Sequence, residues 1–465
     1  MFFRQVLHGD LGCASYLIAD TSAGDGAVVD PKWAIDEYLE LAGRHGFRIG
    51  HVIETHNHAD HVSGRSRLVE ATGARVWVHR LAGATYEHSP FEDGDEIAVG
   101  GSVLLRVLHT PGHRPEHSAI VVIDRLRGDD PVAVLTGDSL FVNDAARPDL
   151  AVEKREGAAE LFASLQRIVS LGDAVELHPG HTGGSLCGSA RMGEKTSSTV
   201  GYERAHNSLL QITEPGVFVD TMVTALPPQP PNFKQIAETN RTTGGTVPAS
   251  PQRLTAERFA RRAAAGGLMI DGRTPEDYAA GHAAGAVGVT LGSSGFGTKA
   301  AWLASAGAEL LLIGQDDGEA DLMAELLGAV GLAAAATLAG GFPAWRAASL
   351  PVESLGQVDV PGLAELLEGH GELQLLDVRG DDEWAESRIP GSTHMPYHDL
   401  IDAMPDLDRA LPVAAICNSG KRAAMAVGLL QRGGFPDAIH VTHGGVKTWG
   451  ELGLPLETGE PAVRA

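Results

Sequence analysis

The chain has few cysteines, fewer basic than acidic residues, and no long apolar run. Its three cysteines, Cys13, Cys187 and Cys417, lie far apart, and an odd, sparse set predicts reduced thiols in a cytoplasm rather than a disulfide framework. The 36 Lys and Arg residues against 60 Asp and Glu give a net charge of −24, which argues against nucleic acid and anionic membranes as partners. No apolar run approaches the roughly 18–20 residues of a membrane span, and the N-terminus does not have the form of a signal peptide. We therefore expect a cytoplasmic protein.

The length and composition predict several globular domains. At 465 residues, with 43% hydrophobic and 21% charged residues, the chain has room for about three domains of ordinary size. Residues 226–231 and 242–251 are rich in Pro, Gly, Ser and Thr, which is typical of a linker. We therefore expect a first domain at 1–225, a linker at 226–251, and two further domains at 252–353 and 354–465.

Four potential metal ligands follow one strand of the first domain. The segment at 51–54 predicts the end of a strand, and the loop after it contains His56, His58, Asp60 and His61. Residues two apart in an extended backbone point the same way, so His56 and His58 are able to converge on one point. Asp60 and His61 would then face a neighbouring point. Neutral imidazoles and carboxylates are the ligands that zinc and non-haem iron prefer. The loop is therefore predicted to bind metal.

Three more potential ligands each come after a predicted strand. His113 follows a strand at 103–108, Asp138 follows a strand at 132–135, and His181 follows a strand at 174–177. Four strand ends would thus bring ligands to one edge of a sheet. Helices predicted at 32–46, 62–72 and 158–171 alternate with the strands, which fits two packed sheets with helices outside.

This set of motifs resembles the metallo-β-lactamase superfamily. The motifs are His-x-His-x-Asp-His at 56–61, Gly-His at 112–113, Gly-Asp at 137–138 and Gly-His at 180–181. The resemblance covers roughly the first half of the chain and is highly specific in combination. It implies an αββα sandwich as the first domain of a multidomain α/β protein.

The rest of the chain repeats itself after about a hundred residues. The Asp-x-Arg at 271–273 recurs at 377–379, the Gly-Gly at 340–341 recurs at 444–445, and the Leu-Pro at 350–351 recurs at 454–455. Two copies of one small domain therefore follow the first domain.

A cysteine marks the second copy. The apolar strand at 413–416 leads into Cys417, and an Ala-rich helix begins shortly after Lys421 and Arg422. Backbone N–H groups and the positive end of the helix favour a thiolate at this place, and the two cations add positive charge for an anionic sulfur species. Most free cysteines are small buried residues, but the polar, Gly-containing loop disfavours that alternative here.

The second copy resembles rhodanese (sulfurtransferase) domains. It shares their Asp-x-Arg, their Cys-x-x-Gly-x-Arg loop and their closing Gly-Gly, Trp and Leu-Pro. The resemblance implies that Cys417 carries a persulfide as the catalytic residue, with Lys421 and Arg422. The rest of the loop would bind the substrate, namely Asn418, Ser419 and Gly420. In the first copy the loop at 313–319 is acidic and has no Cys, so we expect an inactive, structural or docking domain there.

The ligand set of the first domain fits two kinds of metal centre. In a zinc hydrolase of the glyoxalase II kind, one ion would be held by His56, His58, His113 and Asp138, and a second by Asp60, His61, His181 and the bridging Asp138. The superfamily's persulfide dioxygenases imply a single Fe²⁺ on His56, His113 and Asp138, a two-His-one-carboxylate face with open positions. The other four residues would then surround that centre with hydrogen bonds.

The cysteine-bearing repeat favours the iron alternative, because it handles sulfane sulfur, the substrate class of a persulfide dioxygenase. The whole arrangement resembles bacterial persulfide dioxygenase–rhodanese fusions. This implies oxidation of a low-molecular-weight persulfide by O₂ to sulfite and thiol, with Cys417 forming or consuming thiosulfate, as in sulfide detoxification. The alternative is a dinuclear Zn²⁺ thioester hydrolase fused to a sulfurtransferase. A third hypothesis, a sulfur carrier whose metal domain is only a scaffold, is disfavoured by the complete ligand set. We expect a homo-oligomer.

Two residues near the metal ligands have open roles. Arg147 either binds a carboxylate of the thiol as substrate-binding residue, or pairs with Asp149 or Asp144 and fixes its loop. Cys187, six residues after His181, either accepts or relays a persulfide or packs a turn.

Two further residues receive structural predictions. Cys13 lies among apolar strand residues and is expected in the core. His117 is close to His113 and is expected to stabilise its loop rather than bind metal.

Overall fold

The computed structural model divides the chain into two compact units. The first comprises residues 1–247 with 328–331, and the second comprises 248–327 with 332–465. The structure describes residues 1–183, 185, 187–189, 191–224, 226, 228–242, 249–292, 295–304, 307, 309–369 and 372–459. In these ranges no helix has the length and apolar character needed to cross a membrane.

Two six-stranded sheets form the first unit. Its strands, in chain order, are β1 (Phe2–His8), β2 (Cys13–Asp20), β3 (Asp25–Val29), β4 (Arg48–Ile53), β5 (Arg75–His79), β6 (Ser89–Phe91), β7 (Glu96–Val99), β8 (Val103–His109), β9 (Ser118–Asp124), β10 (Ala133–Gly137), β11 (Leu140–Phe141), β12 (Asp144–Ala145), β13 (Glu176–Pro179) and β14 (Ser198–Thr199). The first sheet has the order β1-β2-β3-β4-β5-β6 and the second the order β14-β13-β10-β9-β8-β7, while β11 and β12 pair with each other.

Six helices accompany these sheets. They are α1 (Asp36–His45), α2 (Arg65–Thr72), α3 (Lys154–Val169), α4 (Val200–His206), α5 (Pro215–Thr224) and α6 (Phe233–Thr242). Alternate residues of β2 face opposite sides of the sheet: Ile18 packs in the core shared by both sheets, together with Leu105 of β8, whereas Leu17 packs on the side of Tyr38 of α1. On the second sheet, Leu161 of α3 lies in the outer core. Because successive side chains of a strand point to opposite faces, the first sheet contributes to a separate hydrophobic core on each face. The expected αββα sandwich is confirmed.

The segment expected to be a linker contains a helix, so that expectation is wrong for much of residues 228–242. Helix α6 buries Phe233, Ile236 and Asn240, which recur every three or four residues as one face of a helix. The Pro- and Gly-rich sequence on both sides concealed this face. Residues 243–248 of the expected linker lie outside the described residues.

The second unit contains the remaining strands and α-helices of the described residues, except for the last two residues of α10. They are β15 (Gln252–Leu254), α7 (Ala256–Ala264), β16 (Leu268–Asp271), α8 (Pro275–Ala280), β17 (His282–Ala283), β18 (Val287–Gly288), α9 (Phe296–Ala304), β19 (Leu310–Ile313), α10 (Asp317–Ala329), β20 (Ala334–Leu338), α11 (Gly341–Ala347), β21 (Val352–Glu353), β22 (Gly356–Val358), α12 (Val360–Gly369), β23 (Gln374–Asp377), α13 (Asp381–Glu386), β24 (Thr393–His394), β25 (Val413–Ile416), α14 (Lys421–Arg432), β26 (Ala438–Val441) and α15 (Val446–Glu451).

Two five-stranded sheets in this unit have the same topology. The first has the order β15-β20-β19-β16-β18 and the second the order β22-β26-β25-β23-β24, and the pairs within both are parallel. In both repeats the Asp-x-Arg forms a buried ion pair, Asp271 with Arg273 and Asp377 with Arg379, at 2.7 Å. The repeat detected in the sequence is therefore two copies of one fold.

The two repeats share a core. Residues of both lie in one buried cluster, such as Ile270 and Leu312 of the first and Ala415 and Met425 of the second. A Cβ at Gly428 of α14 would lie 2.7 Å from the phenol oxygen of Tyr278 in the first repeat. A glycine is required at this crossing, because any side chain would force α14 away from the first repeat.

Candidate functional site

The seven predicted ligands gather at one edge of the sandwich in the first unit. Four lie in the loop between β4 and α2, and the others follow β8, β10 and β13. All seven are buried, namely His56, His58, Asp60, His61, His113, Asp138 and His181. Burial of this many ionisable groups is costly unless they are paired or bind a metal.

Three of these residues leave ligand atoms open to one point. Nε2 of His56 lies 3.8 Å and Nε2 of His113 lies 3.5 Å from Oδ2 of Asp138, and none of these three buried atoms has a hydrogen-bond partner within the described residues. The opposite nitrogens are held, Nδ1 of His56 at 2.9 Å from Thr55 Oγ1 and Nδ1 of His113 at 2.9 Å from the carbonyl of Arg147. Such outer hydrogen bonds orient metal ligands, so the three residues fit a metal ion.

The electrostatics keep these groups in the form that binds metal. Burial lowers the pKa of His56 well below its ordinary value and also lowers the pKa of His113, against the charge of Asp138. Burial alone would raise the pKa of Asp138, but the charge and hydrogen bond of His181 lower it below its ordinary value. Neutral imidazoles and an ionised carboxylate are therefore available together.

His181 is bound at both ring nitrogens. Nδ1 lies 2.8 Å from Oδ1 of Asp138, and Nε2 lies 2.8 Å from Oδ2 of Asp60. The thiol of Cys13 completes this group, with Sγ 3.1 Å from Asp60 Oδ2 and 3.3 Å from His181 Nε2. These three side chains form a second group of potential metal ligands, with ligand atoms within 4.8 Å of one another.

His58 and His61 face other carboxylates. Nε2 of His58 lies 3.1 Å from Asp30 Oδ1 and 3.4 Å from Glu54 Oε2. Burial opposes a charged imidazole, but the charge of Asp30 raises the pKa of His58 well above its ordinary value. Nδ1 of His61 lies 3.2 Å from Asp60 Oδ1. Nδ1 of His58 and Nε2 of His61 have no hydrogen-bond partner among the described residues, and these are atoms that a two-ion centre would use.

Cys13 was predicted to be a core residue, and its side chain is buried as expected. The sequence did not indicate that its sulfur contacts Asp60 and His181, which follows because residue 13 forms an isolated bridge with residue 181. The backbone N–H of Ala14 also donates to the carbonyl of Gly180 at 2.7 Å. The first strand pair therefore carries a thiol to the ligand loop, which no local pattern around Cys13 indicates.

Asp30 is a second residue that sequence reasoning missed. It follows β3 with φ of 51°, a left-handed conformation that Asp tolerates and that often marks functional positions. Its carboxylate accepts hydrogen bonds from the backbone N–H of Thr55 at 2.7 Å and from the Thr55 hydroxyl at 2.8 Å. Asp30 thereby fixes the residue that orients His56. An acidic residue at the end of a neighbouring strand was the available signal.

Asn240 of α6 is the third missed residue. Its side-chain amide donates to the backbone carbonyls of His58 at 2.9 Å and His61 at 2.8 Å, and its oxygen accepts from the N–H of Ser63 at 2.9 Å. Asn240 thus holds the ligand loop at three points. The same contacts explain why α2 begins at Arg65 rather than at residue 62, since the loop is still bound at Ser63.

His117 and Arg147 make contacts that hold the loops of the site. Nε2 of His117 accepts the backbone N–H of Asp138 at 2.8 Å, and its Nδ1 lies 2.9 Å from Thr110 Oγ1, so its predicted loop-stabilising role is confirmed. Arg147 is buried and forms a two-pronged pair with Asp149, at 2.7 and 2.8 Å. This is the contact expected of the loop-fixing alternative, and the substrate-binding role of Arg147 stays a prediction.

Cys187 lies beside the metal centre. Its sulfur belongs to a group with Asp138 and His181 whose ligand atoms are within 4.8 Å of one another, and it packs against Phe141 and Met192. Burial raises the pKa of the Cys187 thiol well above its ordinary value. The Cys187 sulfur is therefore close to two of the predicted ligands, but its buried environment disfavours the thiolate.

The cysteine loop of the second repeat lies between β25 and α14. Cys417 is fully buried, and its carbonyl accepts the N–H of Val446 at 3.0 Å. Glu383 of α13 ties the loop together: Oε1 accepts from Asn418 Nδ2 at 2.7 Å and from Arg422 Nη2 at 2.8 Å. Lys421 and Ser419 are exposed, and Gly420 has φ of 79° at the start of α14, as a glycine permits.

Backbone N–H groups around Cys417 are open to an anion. Within the described residues, the N–H groups of residues 418–422 have no hydrogen-bond acceptor. They stand at the N-terminal end of α14, which runs for 12 residues. Unpaired N–H groups at a helix N-terminus favour a nearby negative charge.

In the first repeat, the loop that corresponds to the cysteine loop is tightly packed around Gly314. The carbonyl of Gly314 accepts the N–H of Phe342 at 3.0 Å, the counterpart of the contact between Cys417 and Val446. A Cβ at Gly314 would lie 2.8 Å from Glu319 Cβ and 2.9 Å from a backbone nitrogen, so a cysteine has no room there. The N–H of Gln315 is already bound by Glu319 at 2.7 Å, which agrees with an inactive repeat.

Comparisons with known proteins agree with this architecture. Residues 8–181 match the model of the metallo-beta-lactamase superfamily, and residues 255–348 and 360–452 match the rhodanese-like domain. A hydroxyacylglutathione hydrolase of Anaeromyxobacter dehalogenans is 30% identical, over 44% of this chain and 83% of that protein. Another, of Methylococcus capsulatus, is 35% identical over 34% of this chain.

The matched shares of this chain and of its relatives differ from one relative to another. The chain spans 57% of the Methylococcus capsulatus protein's length. A solved structure of a metallo-beta-lactamase from Staphylococcus aureus matches 73% of this chain and 99% of its own, with a TM-score of 0.65 and 28% identity. The chain therefore belongs to the metallo-beta-lactamase superfamily, and two rhodanese-like domains follow its metallo-beta-lactamase domain.

Proposed function

We propose that the first domain oxidises a low-molecular-weight persulfide with O₂ to sulfite and thiol, and that Cys417 transfers sulfane sulfur to or from the product. The observation that carries the proposal is the open set of His56, His113 and Asp138, beside an Asp60–His181 pair that is hydrogen-bonded. A two-His-one-carboxylate face with open positions is typical of non-haem Fe²⁺ oxygenases.

The chain's own residues prepare this centre in specific ways. Thr55 and the carbonyl of Arg147 fix the tautomers of the two imidazoles so that both Nε2 lone pairs face the same point. His181 holds the remaining oxygen of Asp138, which leaves the carboxylate one oxygen for an ion. A ferrous ion at this place would supply the redox chemistry with O₂.

The surroundings of the centre exclude bulk water. The metal ligands and their partners Thr55 and Arg147 are almost completely buried, and a restricted site of this kind suppresses side reactions of a reactive sulfur species. The overall reaction balances as RSSH + O₂ + H₂O giving RSH and sulfite with two protons. The persulfide loses its outer sulfur, which is oxidised, while O₂ is reduced.

Sulfur transfer at Cys417 uses the open N–H groups of its loop. The outer sulfur of a Cys417 persulfide bonds to the sulfur of sulfite, the bond to Cys417 breaks, and its electron pair stays on Cys417 as thiolate. Thiosulfate is the product, and the reverse reaction loads Cys417 from thiosulfate. The backbone donors of residues 418–422 stabilise the negative charge in both directions.

The alternative is a dinuclear Zn²⁺ thioester hydrolase, as the names of the hydroxyacylglutathione hydrolases suggest. It is supported by the open atoms of His58 and His61. A second group of potential ligands, Cys13, Asp60 and His181, also lies close enough to hold an ion. The sulfur-handling repeat in the same chain favours the dioxygenase.

The proposal is tested by O₂ consumption of the iron-loaded protein with a freshly made small-molecule persulfide. We expect uptake that is lost in His113→Ala, and thiosulfate formation that is lost in Cys417→Ser while O₂ uptake continues. Metal content is measured on the same samples. Absence of O₂ uptake in a protein that holds two zinc ions would overturn the proposal in favour of the hydrolase.

A further inference from the structure

The backbone just after the predicted ligand His61 is bound by distant parts of the chain. The N–H of Ser63 donates to the side-chain oxygen of Asn240 at 2.9 Å. The N–H of Val62, the residue that directly follows His61, donates to the carbonyl of Ala329 at 2.7 Å. Two neighbouring positions of the ligand loop are therefore held by two separate segments, and only the first of these lies in α6.

The second segment comes from far along the chain. Residues 328–331 contain the end of α10 and the two residues after it. They lie within residues 255–348, which match the rhodanese-like domain, yet they belong to the first compact unit. The repeat that has no catalytic cysteine thus contributes four residues to the unit that contains the metal ligands.

This segment presents two backbone carbonyls to its neighbours in the first unit. The last carbonyls of a helix have no partner inside that helix, and Ala329 and Val330 are both buried. The carbonyl of Ala329 accepts from Val62, and the carbonyl of Val330 accepts from Nδ2 of Asn232 at 2.8 Å. Because a buried carbonyl without a partner is costly, these two bonds favour one position of the segment.

The bond to Asn232 also connects the segment with the other support of the loop. Asn232 directly precedes α6, and its backbone carbonyl accepts the N–H of Ile236 in the first turn of that helix at 2.9 Å. The same helix carries Asn240, which binds the ligand loop. Residues 328–331 therefore hold the loop directly at Val62 and also hold the start of the helix that supports it.

Gly331 shows how closely the segment packs against the loop and α6. Its φ is 72°, and a Cβ at this residue would lie 3.5 Å from Cγ2 of Val62 and 3.6 Å from Cγ1 of Ile236. These are ordinary contact distances for a single methyl group. A branched side chain would place further atoms against both neighbours, so a substitution here displaces the segment without altering any predicted ligand.

We propose that residues 328–331 are a positioning element of the metal centre, which keeps the ligand loop in its metal-binding geometry through Val62 and through α6. The inference goes beyond the proposed function, because it concerns how metal is held and applies equally to a dioxygenase and to a hydrolase. It gives the repeat without a catalytic cysteine a definite role, since this repeat completes the support of the metal site.

The test compares Gly331→Val with Gly46→Val in the full chain. Gly46 follows α1 with the same φ of 72°, and a Cβ there meets nothing within 4 Å, so both variants carry the same backbone strain. Co²⁺ is the probe, because its visible absorption reports the number and geometry of its ligands. We expect Gly331→Val to bind Co²⁺ about tenfold more weakly with an altered spectrum, and Gly46→Val and Gly331→Ala to stay within about twofold of wild type.

A second variant removes one bond without adding bulk. Asn232→Ser deletes the amide donor to Val330 but keeps a residue type that suits the start of a helix, and it should weaken Co²⁺ binding about threefold or more. Wild-type affinity and spectrum in Gly331→Val, or an equal loss in Gly46→Val, would overturn the inference. If Gly331→Val does not fold, wild-type Co²⁺ binding by Asn232→Ser would overturn it. Since O₂ uptake is not measured, either result leaves the proposed reaction to its own test.

Discussion

Nε2 of His181 lies 2.8 Å from Oδ2 of Asp60, a hydrogen bond between two residues that a two-ion centre would use as ligands of the same metal. His181 also binds Asp138 through its other nitrogen at 2.8 Å. In the proposed one-ion centre these contacts would make His181 a positioning residue. In a two-ion centre His181 would instead be a metal ligand, so the number of bound ions distinguishes the two candidate functions of the first domain.

The variant His181→Asn should therefore still bind one metal ion per chain, with an affinity reduced about 10–100-fold, the usual loss when a hydrogen bond to a metal ligand is removed. His113→Ala, which removes a proposed ligand, should bind none. Metal analysis after dialysis measures both. A wild type with two ions and a His181→Asn variant with one would contradict the one-ion account.

Asn240 gives a prediction about the segment first taken for a linker. Asn240→Ala removes three hydrogen bonds from the ligand loop and leaves buried carbonyls unpaired, so the free energy of unfolding of the first unit should fall by about 1–3 kcal/mol. Metal affinity should fall with it, because the loop is no longer held. Denaturant titration and metal analysis check this, with Thr239→Ala on the same helix as control. Equal stability of the two variants would show that α6 does not support the loop.

The first repeat lacks both the catalytic cysteine and the room for a cysteine side chain in its loop. In a Cys417→Ser background, Gly314→Cys should not restore sulfur transfer to sulfite, because a Cβ at residue 314 meets Glu319 Cβ at 2.8 Å. Thiosulfate formation from a preloaded persulfide is the readout, and the wild-type chain is the positive control. Recovery of more than a few per cent of wild-type transfer would show that the first loop opens more readily than its packing indicates.

The ion pair between Glu383 and Arg422 gives a pH dependence. Burial opposes ionisation of Glu383, but the hydrogen bonds and charge of Arg422 lower its pKa below the ordinary value of 4.5. A carboxyl with a lowered pKa contributes stability above its ordinary pKa and loses that contribution as the pH falls through the folded-state value. Glu383→Gln should thus be less stable than wild type by about 1–3 kcal/mol at pH 7.

The difference between Glu383→Gln and wild type should shrink as the pH falls from 5 to 3. Unfolding titrations of both proteins at several pH values measure it. The variant Glu386→Gln, on the same short helix, is the control and should follow wild type. A difference that stays constant over this range would contradict the assigned role of the pair.

Much of the site was predictable from the sequence because its residues follow strands. The ligands at 56–61, His113, Asp138 and His181 each come at a strand end, and period-two patterns locate strands well. The strand at 413–416 was predicted with its observed bounds, because a change from apolar residues to a polar, Gly-containing loop marks the end of the strand clearly. The repeat then fixed the topology of the second unit.

The parts that were missed depend on contacts between distant residues. Cys13 reaches Asp60 and His181, 47 and 168 residues away, and nothing near Cys13 in the sequence records this. Asn240 holds a loop 179 and 182 residues earlier, from a helix that neighbouring prolines and glycines concealed. Tertiary packing, rather than local propensity, decided both positions.

The measurement that separates the dioxygenase from the hydrolase most directly offers both substrates to one metal-loaded sample. A small-molecule persulfide and a glutathione thioester are supplied in turn, while O₂, sulfite and thioester are followed. The one-ion centre of His56, His113 and Asp138 predicts O₂ consumption equal to the sum of sulfite and thiosulfate formed, with the thioester left intact. Thioester hydrolysis without O₂ consumption, in a protein that holds two zinc ions, would contradict it.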